Sequence, residues 1–185
     1  LSLVSNGMNT RKTLPQSFFE RDTRVVAREL LGKYLVRRMR DKEIAVMITE
    51  VEAYDGFEDK ASHAHKGETA RNRPMFGDAG VWYVYLVYGM YEMLNIVTGR
   101  KGYPAAVLIR GVEGFDGPGR LTKFLQITRA QNKKRAVFDS GLWIENRGVV
   151  ITDNKIKKTP RVGVPYAGIW AKKRYRFVLK QKAGR

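Results

Sequence analysis

The chain contains no cysteine, which excludes disulfides, cysteine-ligated zinc, iron–sulfur clusters and a thiol nucleophile together. It has two histidines, His63 and His65. No apolar run is long enough for a membrane span. The longest, Val81 to Val97, is interrupted by Glu92 and Asn95, whereas a spanning helix needs about 20 apolar residues. The opening Leu1 to Gly7 lacks the charged start and apolar core of a secretory signal. It does not begin with methionine, so Met8 is a candidate native start, and residues 1–12 read as a tail ahead of one domain over 13–185. An intracellular protein with no membrane association is the expectation.

Acidic residues are scarce as well. Only 18 Asp and Glu stand against 35 Lys and Arg in 185 residues, a formal net charge of +17. A hydrophobic fraction of 43 % with 11 % aromatics is a folding composition, so the excess charge speaks of partners, and nucleic acid is the first candidate. The acids are also unevenly placed. Eight of them fall between Asp41 and Glu68, and none follows Asp153, while eleven Lys or Arg run from Lys155 to Arg185. An enzyme acting on a polyanion needs basic surface for the backbone and carboxylates for chemistry; acids that merely neutralise neighbouring cations would give the same pattern.

The hydrophobic periodicity predicts more strands than helices. Asp22 caps a helix through Val25, Val26, Leu30 and Leu31 that stops at Gly32. Strands are predicted at Tyr34 to Met39, from Ile44 through Val46 and Ile48, at Val81 to Tyr88 with Met90 to Val97, and at Ala105 to Val112. Shorter ones are predicted at Trp143 to Glu145, Val149 to Thr152, Arg161 to Val164 and Tyr175 to Leu179, with a short helix at Leu121 to Ile127. The class is α+β, a single domain on a curved antiparallel, barrel-like sheet with flanking helices.

Three features carry candidate chemistry. Side chains two apart share a face of a strand, so Glu50, Glu52 and Tyr54 continue the face of Ile44, Val46 and Ile48, a face running from core into a cleft. Partial burial raises a carboxylate pKa and makes it a base; for Glu50, pairing with arginine is the favoured reading. His63-Ala64-His65 beside Glu58 and Asp59 is the pattern a metal-dependent nuclease would use. Finally, Tyr83-Val84-Tyr85-Leu86-Val87-Tyr88-Gly89-Met90-Tyr91 places Tyr88, Met90 and Tyr91 at a hairpin turn where polar residues are usual. Such a tip is either a wedge between bases or a piece of core.

Taken in order, Glu50-Val51-Glu52-Ala53-Tyr54, Glu58-Asp59-x-Ala61-Ser62-His63, Thr69-Ala70-Arg71-Asn72-Arg73-Pro74-Met75-Phe76, the hairpin, Leu94-Asn95-Ile96, Val107-Leu108-Ile109-Arg110, Gly117-Pro118-Gly119-Arg120-Leu121 and Arg161-Val162-Gly163-Val164 resemble the alkyladenine (3-methylpurine) DNA glycosylase family. The likeness runs from about Leu14 to Leu179. It implies a hairpin that protrudes into the DNA minor groove, a duplex partner carrying damaged purines, a monomer, and no cofactor or metal. It also implies roles for particular residues. Glu52 activates water against the sugar C1′, with Arg110 and the Val162 carbonyl near that water. Tyr54, His63 and Tyr85 stack on the flipped base, and Asn95 crowds the 2-amino group of guanine. Tyr88, Met90 and Tyr91 fill the gap in the helix, and Arg71, Arg73 and Arg120 meet phosphates. No lysine occupies the motif as a nucleophile, so the implied enzyme releases the base without cutting the strand. Pro165-Tyr166 departs from the Gly-His common in that family. A basic nucleic-acid-binding protein without catalysis, or a metal-dependent nuclease, are the alternatives.

Overall fold

A computed structural model describes residues 12–180. The expected tail, Lys12 apart, and the basic residues after 180 lie outside them. The elements in chain order are β1 (Lys12–Thr13), α1 (Gln16–Phe19), α2 (Thr23–Leu30), β2 (Tyr34–Met39), β3 (Lys42–Asp55), β4 (Trp82–Val87), β5 (Tyr91–Val97), β6 (Ala105–Val112), β7 (Phe115–Asp116), α3 (Pro118–Phe124), β8 (Leu142–Asn146), β9 (Ile156–Thr159) and β10 (Arg176–Leu179). All strand pairs are antiparallel, in the order β1-β8-β2-β3-β6-β5-β4, with β10 joining β3 to β9 and β7 at the end of β6. The class is α+β, as the periodicity indicates, but the sheet stays open between β1 and β4 and does not close into a barrel. No helix among the described residues is long and apolar enough to cross a membrane.

Local chemistry explains the helices. The Asp22 carboxylate accepts the N–H groups of Arg24 at 2.9 Å and Val25 at 3.2 Å, a cap worth about 1 kcal/mol. Val26, Ala27 and Leu30 are then buried in the main core, against β3 and β6. Gly32 ends the turn at φ +82°, where a Cβ would come within 2.7 Å of Ile151. Gly117 and Pro118 open α3 three residues earlier than expected, since proline at the first helical position loses no hydrogen bond.

Two strand expectations fail. Residues 149–152 and 161–164 are irregular. Ile151 packs on the core without pairing, and Arg161 turns inward to an ion pair instead of joining a ladder. The larger correction concerns β3. Ile44, Val46 and Ile48 do face the main core, but beyond them the core residues are Val51 and Ala53, so Glu50, Glu52 and Tyr54 lie on the other face. The register explains the switch: Ile48 pairs with Val112, Glu50 with Gly111 and Val51 with Ile109, so Thr49 and Arg110 are each passed over. This double β-bulge exchanges the two faces where the carboxylates begin, as bulges beside functional sites do. Gly111 makes the crossing possible, because a Cβ there would stand 3.1 Å from the Glu50 Cβ.

Candidate active site

Glu52 sits in the middle of the sheet, opposite Leu108 of β6 on one side and Arg176 of β10 on the other. It is fully buried, at 0 % exposure. One carboxylate oxygen accepts the Val162 N–H at 2.7 Å and the other accepts the Tyr54 hydroxyl at 2.9 Å. The Arg110 guanidinium stands 3.6 Å from the first oxygen. Burial pushes the Glu52 pKa above the ordinary carboxylate value, against the opposing pull of Arg110, the Val162 N–H and the Tyr54 hydroxyl. Its partners favour the ionised form, and burial makes it more basic than a carboxylate in water. Glu50 does what pairing with arginine requires: it accepts from Arg110 at 2.8 Å and Arg176 at 2.6 Å. It thereby holds Arg110 beside Glu52.

Above Glu52 opens a cavity of about 410 Å³. Tyr54, Arg110 and Val162, the groups that hold Glu52, form part of its lining, together with His63, Tyr85, Asn95 and Tyr88. The carboxylate itself lies just beneath that surface. His63 and Tyr85 meet edge to face with centroids 4.6 Å apart, and the His63 Nδ1 lies 3.2 Å from the Tyr83 hydroxyl. Burial, helped by the nearby Arg71, lowers the His63 pKa and favours the neutral ring. Burial likewise raises the Tyr54 and Tyr85 phenols well above their usual value. The Asn95 amide nitrogen donates to the Tyr83 and Met93 carbonyls at 3.1 and 3.2 Å, which fixes the orientation of this side chain in the wall.

The hairpin tip projects beyond this cavity. Met90 donates its N–H to the Val87 carbonyl at 3.1 Å, closing a β-turn with Tyr88 at φ +51° and Gly89 at φ +70° inside the loop between the paired Val87 and Tyr91. Both values are positive, the signature of the type I′ hairpin turn, whose first position normally carries asparagine, aspartate or glycine. Tyr88 is 87 % exposed and Met90 and Tyr91 are exposed beside it, so the tip is not folded back as core. Tyr91 lies against Gly119, where a Cβ would come within 2.6 Å of its ring.

Other expected residues are placed less uniformly. Arg71 is exposed but occupied, 4.9 Å from the Tyr85 ring centroid and donating to the Leu86 carbonyl at 3.1 Å. Arg73 pairs with Glu68 at 2.8 Å on the surface, and Arg120 is exposed in the first turn of α3. For Val162 the contact present is its N–H to Glu52, whereas the resemblance pointed to its carbonyl. The nuclease reading finds no ligand set. Asp59 is bound by Arg161, His65 lies 2.9 Å from the Phe57 carbonyl, and no three His, Asp or Glu gather as a metal site among the described residues. Reading the sequence misses two contributors. Tyr166, 69 % exposed, stands at the cavity wall, and the Asp59–Arg161 pair lies behind it. The first is visible only as the Pro165-Tyr166 departure; the second joins residues 102 apart, which no local pattern shows.

The chain matches the profile of the family described as methylpurine-DNA glycosylase (MPG) over residues 17–116 and 113–183. Among similar proteins, three carry the name "Putative 3-methyladenine DNA glycosylase". That of Methanocella arvoryzae is 46 % identical, with 90 % of this chain and 92 % of the relative covered. That of Anaeromyxobacter dehalogenans strain 2CP-C is 45 % identical, covering 92 % and 84 %. That of Myxococcus xanthus is 45 % identical, covering 90 % of each. With an aromatic cavity over a buried carboxylate, and a match spanning nearly all the described residues, the chain belongs to the methylpurine-DNA glycosylase family.

Proposed function

We propose that this protein removes alkylated or deaminated purines from duplex DNA by hydrolysing the N-glycosidic bond, leaving an abasic site, and that it does so inside the cell as a monomer. The observation that carries this reading is Glu52, buried and made more basic by burial, directly beneath a cavity walled by Tyr54, His63 and Tyr85.

The chemistry follows from that placement. A purine inside a duplex is out of reach, so the nucleotide must leave the stack, at a cost of about a few kcal/mol that is least for a damaged or mispaired base. Tyr88, exposed at the tip, occupies the vacated space, with Met90 and Tyr91 beside it. The extruded base enters between Tyr54 and the His63–Tyr85 pair. Electron-rich rings attract an alkylated purine that carries positive charge, and the fixed Asn95 side chain opposes the 2-amino group of normal guanine. Water placed near Arg110 and Val162 gives its proton to Glu52 as it attacks C1′. The same carboxylate offsets the positive charge that develops on the sugar. Family kinship and the net charge of +17 support duplex DNA as the partner. Arg71, Arg73 and Arg120 are the proposed phosphate contacts.

The test is incubation with duplexes holding one hypoxanthine, 3-methyladenine, 7-methylguanine or etheno-adenine, with free base and abasic sites measured. The reading expects base release without strand cleavage until alkali is added. Glu52→Gln should keep lesion binding and lose about two to four orders of magnitude in single-turnover rate. No release from any duplex, or a Glu52→Gln rate within threefold of the parent, overturns it.

A further inference from the structure

Arg161 and Asp59 form an ion pair whose side chains are both completely inaccessible, and the chemistry above makes no use of it. Arg161 donates to both Asp59 oxygens, to the Ala53 carbonyl at 2.8 Å and to the Trp170 carbonyl at 3.3 Å. Its guanidinium lies 4.8 Å from the Tyr54 ring centroid, outside the cavity that Tyr54 helps to line. Asp59 in turn accepts the Asp55 and Ala61 N–H groups, both at 3.1 Å. One pair thus ties together the end of β3, the 59–63 segment and the 161–170 segment. Burying two charges is costly, and removing one partner strands the other in the interior.

We propose that the Asp59–Arg161 pair is a positioning device: it fixes the segment after Arg161 so that the Val162 N–H meets Glu52, and it backs the Tyr54 ring that the flipped base stacks on. The proposal rests on the glycosylase reading for its consequence, though not for its geometry. Arg161 neighbours Val162 in the chain, so a guanidinium pinned at four acceptors leaves that N–H little freedom over its 2.7 Å bond to Glu52. Losing the bond removes a donor that favours the ionised carboxylate and so moves its titration upward. The groups facing Glu52 are Tyr54 and Glu50 on its own strand, Arg110 on β6, Arg176 on β10, Tyr85 on β4 and Arg161 itself. Of these, Arg161 is the group the variants replace and Tyr54 the one that loses its backing.

Two variants test this. Arg161→Lys keeps a charge but cannot reach both Asp59 oxygens and the Ala53 carbonyl. The double variant Asp59→Asn with Arg161→Gln removes both charges, so neither is stranded. Both should still bind lesion duplex, because Tyr54, His63 and Tyr85 remain in the wall. Both should lose about ten- to a hundredfold in single-turnover rate, the scale of a small misplacement, with the acidic limb of the pH–rate profile moved to higher pH. The amide resonance of Val162, followed by NMR through the titration, gives a readout that needs no catalysis. It should track Glu52 in the parent and lose that dependence in both variants. An unmoved limb and an unchanged Val162 titration in the folded variants overturn the proposal, even if their melting temperature falls, and so does failure of both to fold. A parent that releases no base while its Val162 amide depends on the pair overturns the glycosylase reading and leaves the positioning intact.

Discussion

Replacing Tyr88 with asparagine should make the protein more stable and less active. At φ +51° the Tyr88 backbone sits where a bulky side chain is strained, at a cost on the order of 1 kcal/mol or more. Its ring, 87 % exposed, contributes almost no packing to offset that cost. Tyr88→Asn creates the Asn-Gly pair preferred in a type I′ turn and should recover about 0.5–1 kcal/mol. For a chain of this length that corresponds to roughly a 1–4 °C rise in melting temperature. The functional effect has the opposite sign. Stacking of one aromatic ring against bases is worth about 1–3 kcal/mol, so a well-paired lesion should be excised roughly 5- to 150-fold more slowly. A lesion opposite a poorly pairing base, whose extrusion costs less, should suffer less. Calorimetry of the free protein and single-turnover rates on the two duplexes decide the matter. A lower melting temperature would show that the ring is packing; an unchanged rate on both duplexes would show that it is no wedge.

Glu52 gives a second pair of opposed expectations. Because burial raises its folded-state pKa, its contribution to stability is intact below the unfolded-state value and is lost as pH rises through the folded one. Glu52→Gln should therefore melt at or above the parent temperature at neutral pH, with the gap closing in acid; a variant less stable at pH 7 would contradict the direction of that shift. In the parent, the single-turnover rate should rise with pH as Glu52 ionises, with its midpoint above the ordinary glutamate value, and a midpoint at or below that value would refute it. Binding to undamaged duplex should weaken steeply with salt, each neutralised phosphate adding about −0.9 to the log–log slope, so five contacts give about −4.5. A nearly flat slope would mean that the charge of +17 serves another partner.

What could be read from the sequence was whatever depends on neighbours in the chain. The strand from Ala105 to Val112 was legible to the residue, because its apolar run is bounded by turn-formers. The hairpin was legible for the same reason, and Asp22 marked its helix correctly. Strand β9 was not, since Lys157 and Lys158 hide the pairing of Ile156 to Thr159 with β10. The face of β3 was misjudged because period-two reasoning assumes an unbroken ladder, and nothing in Thr49 announces that it will be skipped. The gathering of Tyr54, His63, Tyr85, Asn95, Arg110 and Val162 around one cavity was available only through kinship. Their spacing in sequence reflects how β3, β4, β5, β6, the 59–63 segment and the 161–164 segment pack, which no single segment contains.

The double bulge has a further consequence. Counted along the core-facing positions, Ile48 and Val51 on one strand and Ile109 and Val112 on the other, the sheet holds one residue more per strand than alternation requires. One of these surplus residues is Arg110. A chain shortened by both Thr49 and Arg110 would keep Ile48, Val51, Ile109 and Val112 facing inward and could pair without interruption, yet it would have lost the guanidinium that spans Glu50 and Glu52. The scaffold and the chemistry are therefore separable at this point by length alone. A matched pair of insertions, neutral to the register beyond them, suffices to place a cation beside the buried acid.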